Sequence, residues 1–157
     1  MTSPAADLLP VADLRAFLAG SWSLERTIED RGNDQRGTVR GTAEFVADGS
    51  GIRWIEHGTV QLAGYVGEAS RELEIVPDPV GDGWLVRFDD GRPFHPLDLR
   101  SGSCDAVHPC RADRYAGQVR ATSSASFEVD WQVTGPAKDQ RIRTRYARLR
   151  PDEGRSR

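Results

Sequence analysis

Before residue 20 the apolar positions recur at helical spacing, and from Trp22 onward they recur every second residue. Val11, Leu14, Phe17 and Leu18 predict one short amphipathic helix over residues 11–20, with Gly20 where a C-cap belongs. Residues 1–10 ahead of it read as a disordered leader, and 151–157 as a disordered tail, around a single domain over 11–150. In the first alternating run Trp22, Leu24, Arg26 and Ile28 share a face, opposite Ser23, Glu25, Thr27 and Glu29. In residues 37–47 the inward set is Val39, Gly41, Ala43 and Phe45, and such small residues predict a strand that bends or passes close to a neighbour. After the Asp48-Gly49-Ser50-Gly51 turn, residues 52–62 place Trp54, Glu56, Gly58 and Val60 inward. Residues 64–76 follow with Tyr65, Gly67, Ala69, Arg71, Leu73 and Ile75 on one face and a largely acidic set on the other.

The rhythm continues through residues 84–88, 94–99, 104–110, 115–122, 126–134 and 140–150. About ten short strands at 8–12-residue intervals, after one helix and without strand–helix alternation, predict an all-β antiparallel fold. A closed up-and-down barrel fits best, because closure removes the exposed edges that so long a meander otherwise leaves. A two-sheet sandwich would need longer crossover connections than the turns provide.

At 157 residues the chain is long enough to bury a core without disulfide or metal. Its 21 Lys and Arg against 24 Asp and Glu, a formal charge of −3, argue against a dedicated nucleic-acid or anionic-membrane surface. No apolar run is long enough to span a bilayer and no signal-like segment opens the chain, so a cytoplasmic protein is expected, with Cys104 and Cys110 reduced. A monomer or homodimer is the expected state.

A barrel of this size encloses room for one small ligand, so charged residues in phase with the apolar face carry information. Arg26, Glu56 and Arg71 are in phase with Trp22, Trp54 and Leu73. They form either a mutually satisfied salt-bridge cluster or a cationic anchor for a ligand's carboxylate. Trp54, Tyr65, Trp131 and Tyr146 complete the expected lining.

Chemistry concentrates in residues 89–99 and 107–115, which hold His95 and His108, two of the three histidines, with Cys110, Asp113 and Tyr115. If these converge, they supply acid/base groups for a reaction near neutral pH; otherwise the histidines hold proline-bearing turns at Pro96 and Pro109. A bulge at either proline would re-aim the neighbouring side chain. Metal is not expected: Cys104-x-x-x-His108-x-Cys110 is no usual zinc spacing. No phosphate loop, nucleophile elbow or His-Glu-x-x-His occurs.

The set Phe17-Leu18-Ala19-Gly20-Ser21-Trp22 with Arg26, Asp90-Gly91-Arg92-Pro93-Phe94-His95 with Leu97-Asp98-Leu99, His108-Pro109-Cys110 with Asp113 and Tyr115, and Trp131 with Gly135-Pro136 and Lys138-Asp139 resembles the domain of unknown function 6314 family. The resemblance spans almost the whole chain and implies a calycin-like barrel, similar to lipocalins, fatty-acid-binding proteins and nitrobindins. It implies no reaction. Nitrobindins ligate haem through a histidine late in the chain, and no histidine follows His108 here.

The expected function is binding of a small, partly apolar, anionic metabolite inside the barrel, without a cofactor. The alternatives are a cofactor-free isomerase, cyclase, dehydratase or hydrolase using His95 or His108 with Asp113 and Tyr115, and, behind that, metal or haem binding.

Overall fold

The computed structural model describes residues 7–110 and 112–150, the side chains of Pro109 and Cys110 excepted. Both the first six residues of the expected leader and the 151–157 tail fall outside the described residues.

A short helix α1 (Leu14–Leu18) precedes ten antiparallel strands: β1 (Gly20–Asp30), β2 (Gln35–Asp48), β3 (Gly51–Leu62), β4 (Tyr65–Pro77), β5 (Trp84–Phe88), β6 (Pro93–Leu97), β7 (Ser103–Cys110), β8 (Asp113–Ser123), β9 (Ser126–Gly135) and β10 (Lys138–Arg148). Each strand pairs with its chain neighbour except across β6 and β7, and β1 pairs with β10, for example Leu24 opposite Tyr146. The first and last strands therefore close the wall, and β6 lies against β7 without a ladder. The result is an all-β, nearly closed up-and-down barrel, with its seam in the histidine-bearing segments.

The helix is shorter than the spacing predicts. Asp13, in extended conformation, accepts the Ala16 N–H and starts it, and Ala19 (ψ 128°) has already turned into β1. Gly20, at φ +117°, opens that strand rather than capping the helix. The residues before it are held extended: Leu9 N–H donates to Ala121 O and Val11 N–H to Leu99 O, so the end of the expected leader is part of the barrel's closure.

Helix and barrel meet in an apolar floor. Trp22 Nε1 donates to Leu18 O at 2.8 Å, which brings Phe17, Trp22, Phe45 and Phe127 into tilted and edge-on contact at 4.9–6.4 Å. Arg148 lies over Trp22, 4.3 Å from the ring, and donates to the carbonyls of Phe17, Ala19 and Ser124. It thereby satisfies helix-end acceptors that would otherwise lack partners. A void of about 10 Å³ lies in this floor.

The small inward residues of β2 have the expected consequence. Gly41 faces Gly58 across the β2–β3 ladder, and a Cβ on Gly41 would lie 1.9 Å from the His57 carbonyl oxygen. Here backbone meets backbone, and no side chain can swing aside to make room. Gly41→Ala is therefore expected to lower unfolding stability by about 3 kcal/mol or more. Gly49→Ala, at φ +58° with nothing within 4 Å, should lose only about 1 kcal/mol through its left-handed backbone. Denaturant midpoints check this, and equal losses for the two variants would contradict the close approach.

Candidate functional site

Above the floor, β1, β3, β4 and β10 contribute a polar layer centred on Glu56, which is 3% exposed. Glu56 lies opposite Arg71 in the β3–β4 ladder, and Arg26 lies opposite Thr144 in the β1–β10 ladder, so strand register alone brings the charges together. Glu56 Oε1 receives Arg26 Nη2 at 3.0 Å and pairs with Arg71 Nη2 at 3.1 Å. Glu56 Oε2 accepts from Trp54 Nε1 at 3.0 Å and from the Tyr146 hydroxyl. Arg26 also donates through Nε to Thr144 Oγ1 at 2.8 Å and through Nη2 to the Tyr146 oxygen at 3.2 Å.

Burial alone would raise the Glu56 carboxyl, but Arg71, Arg26 and the Tyr146 hydroxyl outweigh it and hold it below the usual carboxylate range. Burial and then Glu56's charge push the Tyr146 hydroxyl upward, so it keeps its proton and donates. The two arginines differ. Arg26 has a side chain 15% exposed and is hydrogen-bonded on three sides, whereas Arg71 is 38% exposed and makes an ion pair with Glu56 but no hydrogen bond among the described residues. Arg71 lies over Trp54, 5.5 Å from the ring. One carboxylate between two guanidiniums leaves the layer with a surplus positive charge, carried by the more accessible of them.

A cavity of about 230 Å³ lies against this layer. Arg26, Trp54, Arg71 and Tyr146 line its polar side, and Ile28, Leu73, Phe94, His95, Tyr115, Val129, Trp131, Ile142 and Thr144 the rest. It opens because β5 and β6 are only five residues long: β5 pairs with residues 73–77 of β4, leaving the earlier half of β4, including Arg71, with β3 as its one ladder partner.

The β5–β6 ladder carries a bulge. Val86 pairs with His95 and Arg87 with Pro93, so Phe94 is the extra residue. The expected bulge sites were Pro96 and Pro109; the register breaks instead at Phe94. Alternation would put Phe94 and His95 on opposite faces, but the bulge lets both line the cavity. Phe94 is stacked between Phe88 and Trp131, at centroid separations of 4.6 and 5.2 Å.

His95 is 3% exposed, and its Nδ1 lies 2.8 Å from Pro96 O. A carbonyl only accepts, so Nδ1 carries the proton and Nε2 the lone pair. Burial first, with Arg71 and His108 adding to it against the Pro96 hydrogen bond, lowers His95 to about 4, which keeps the ring neutral at ordinary pH.

The other expected site residues divide. Tyr115 and Trp131 line the cavity. His108 is half-buried, edge-on to Phe88, Phe94 and Tyr115 at 5.5–6.0 Å, and outside the cavity lining. Asp113 pairs with Lys138 at 3.2 Å, also away from the cavity. Tyr65 was expected inward but is 63% exposed, because its hairpin runs past the rim where no further strand covers it. Cys110's side chain lies outside the described residues. Phe94, Thr144 and Ile142 were not singled out as site residues; alternation with Tyr146 already pointed to the last two, and only the bulge reveals Phe94. Among the described residues no group of three or more His, Cys, Asp or Glu is placed to hold a metal ion. A wider concavity, about 320 Å³, lies between outer-face charges that pair with one another, such as Arg120 with Glu128 at 2.8 Å. That is a solvated charge ladder.

The lowered His95 pKa sets a pH dependence. A folded value near 4 against an unfolded value of 6.5 means that the unfolded chain binds the extra proton between these limits. This contribution is full above about pH 6.5 and is lost as pH falls toward 4, about 3 kcal/mol in all. Wild type should lose this stability across that window and His95→Gln should not. A His95 titration midpoint near 6.5 by NMR would contradict the burial argument.

The fold is similar to solved structures. The S-type phycobiliprotein lyase CPES from Guillardia theta matches with a TM-score of 0.64 at 12% identity, over 90% of this chain and 94% of that one. A DUF3598-family protein of unknown function from Nostoc punctiforme PCC 73102 matches with a TM-score of 0.56 at 12% identity, over 94% of this chain and 52% of that one. At such identities the likeness is one of fold. No curated protein matches the sequence, and no helix among the described residues is long and apolar enough to cross a membrane. Residues 18–148, from the last residue of α1 to the last of β10, match the model of the family of unknown function DUF6314, and the chain belongs to that family.

Proposed function

We propose that the barrel binds a small, partly apolar organic anion, its carboxylate at Arg71 and its apolar part against Trp131, Leu73 and Ile142. The observation that carries this reading is the unequal use of the two arginines. Glu56, Thr144 and Tyr146 hold Arg26 in place, whereas Arg71, ion-paired to Glu56 through Nη2, makes no hydrogen bond among the described residues and lines a largely apolar cavity. A guanidinium in that position suits a carboxylate in geometry and charge. Size limits the ligand as well. A cavity of about 150 Å³ takes a benzene ring, and drug-sized ligands occupy about 300 Å³ or more. The 230 Å³ here suits one ring with small substituents.

The acid/base alternative has weaker support, since His95 lines the cavity while His108 and Asp113 do not. Of that set only His95 and Tyr115 share the cavity, and His95 serves the binding reading as a lining residue with an acceptor nitrogen.

Calorimetric titration with benzoate and with neutral benzyl alcohol tests the reading. Benzoate should bind saturably and at least tenfold more tightly than the alcohol, and Arg71→Gln should remove the difference. Equal affinity for the two probes, or a preference unchanged in Arg71→Gln, would overturn it.

A further inference from the structure

The cavity's second polar feature lies on β6, apart from the arginines. His95 is almost fully buried and its Nδ1–H is committed to Pro96 O. Among the described residues its Nε2 has no hydrogen-bond partner. Arg87 Nε is the only fully buried side-chain nitrogen or oxygen without a partner there, so Nε2 must reach open space. His95 borders two spaces, the small floor void and the cavity, and only apolar surface faces the void. Of these two, the cavity is the one with polar wall to offer Nε2.

We propose that the ligand is a single-ring aromatic acid that also carries a neutral hydrogen-bond donor, a hydroxyl or a ring N–H, which His95 Nε2 accepts. This rests on the anion-binding reading and deepens it by naming the second anchor. A neutral imidazole whose one N–H is fixed elsewhere can only accept at its other nitrogen. A ligand that fills the cavity expels water from that nitrogen, and unless it offers a donor the lone pair is left buried and unpaired, a direct penalty on binding. Edge-on contacts with Phe94 at 4.7 Å and Trp131 at 5.3 Å hold the ring in place, so it does not turn away to find another donor. The donor is neutral because Arg26 and Arg71 outnumber Glu56 in the same space. An ammonium group would bring a third cation to it, which separates this ligand class from aromatic amino acids.

Calorimetry with benzoate, the three hydroxybenzoate isomers, the three methoxybenzoates and 4-(aminomethyl)benzoate tests the proposal. At least one hydroxybenzoate should bind about tenfold more tightly than benzoate, its methoxy counterpart should lose that gain, and the ammonium probe should bind more weakly than benzoate. His95→Phe should bind benzoate and the hydroxy acid alike. Because that variant also removes a buried hydrogen bond to Pro96 O, the wild-type His95 Nε2 resonance, followed by ¹⁵N NMR, gives an independent readout and should move with the hydroxy acid and not with its methoxy ether. The proposal is overturned if every hydroxybenzoate binds within twofold of benzoate, if the gain persists in folded His95→Phe, or if Nε2 does not respond. In each case benzoate binding still stands and with it the anion reading. If benzoate itself does not bind, both fall.

Discussion

A single buried carboxylate organises this barrel. Glu56 joins β3 to β4 through Arg71, to β1 through Arg26 and to β10 through Tyr146, with Trp54 as a further donor from its own strand. Packed hydrophobic residues of similar volume would often be as stable, so a buried ion cluster is weak evidence of a stabilising device in itself. Its effect here is positional. It divides the interior into an aromatic floor of Trp22, Phe45 and Phe127 and a cavity above, and of the two guanidiniums that line that cavity it leaves Arg71 the less engaged.

The second constraint is the shortness of β5 and β6. Five residues each are too few to continue the wall beside the first half of β4, and β6 finds no ladder with β7. The bulge then turns Phe94 into the barrel, where its stack with Phe88 and Trp131 links β5 to β9 across the interior. Across the seam itself, where the backbone ladder is missing, Phe94 meets His108 of β7 edge-on at 5.5 Å. His95, next along β6, is inward by the ordinary alternation it shares with buried Leu97.

Period-two alternation carries phase, and the features that depend on phase were legible. The strand count, the inward Arg26 and Glu56, and the close approach of Gly41 to β3 all follow from which residues share a face. Alternation carries no height along the barrel axis. Tyr65 has the same phase as Arg71, yet it stands past the rim, six residues nearer the hairpin tip. Nor does it carry insertions: one extra residue opposite Val86 and Arg87 changed the side on which Phe94 lies. Of the histidine-bearing segments, His95 and Tyr115 line the cavity, whereas His108 and Asp113 have other partners, an aromatic cluster and Lys138. Their separation from the cavity depends on how β7 and β8 are placed around the seam, which a single sequence leaves open.

The central claim is that Glu56 is the ionised partner of two guanidiniums inside the wall. Chemical denaturation of Glu56→Gln at neutral pH tests it most directly. The account predicts a loss of about 3 kcal/mol or more, because Arg26 would remain buried without its counter-charge. An unchanged midpoint and slope would contradict it.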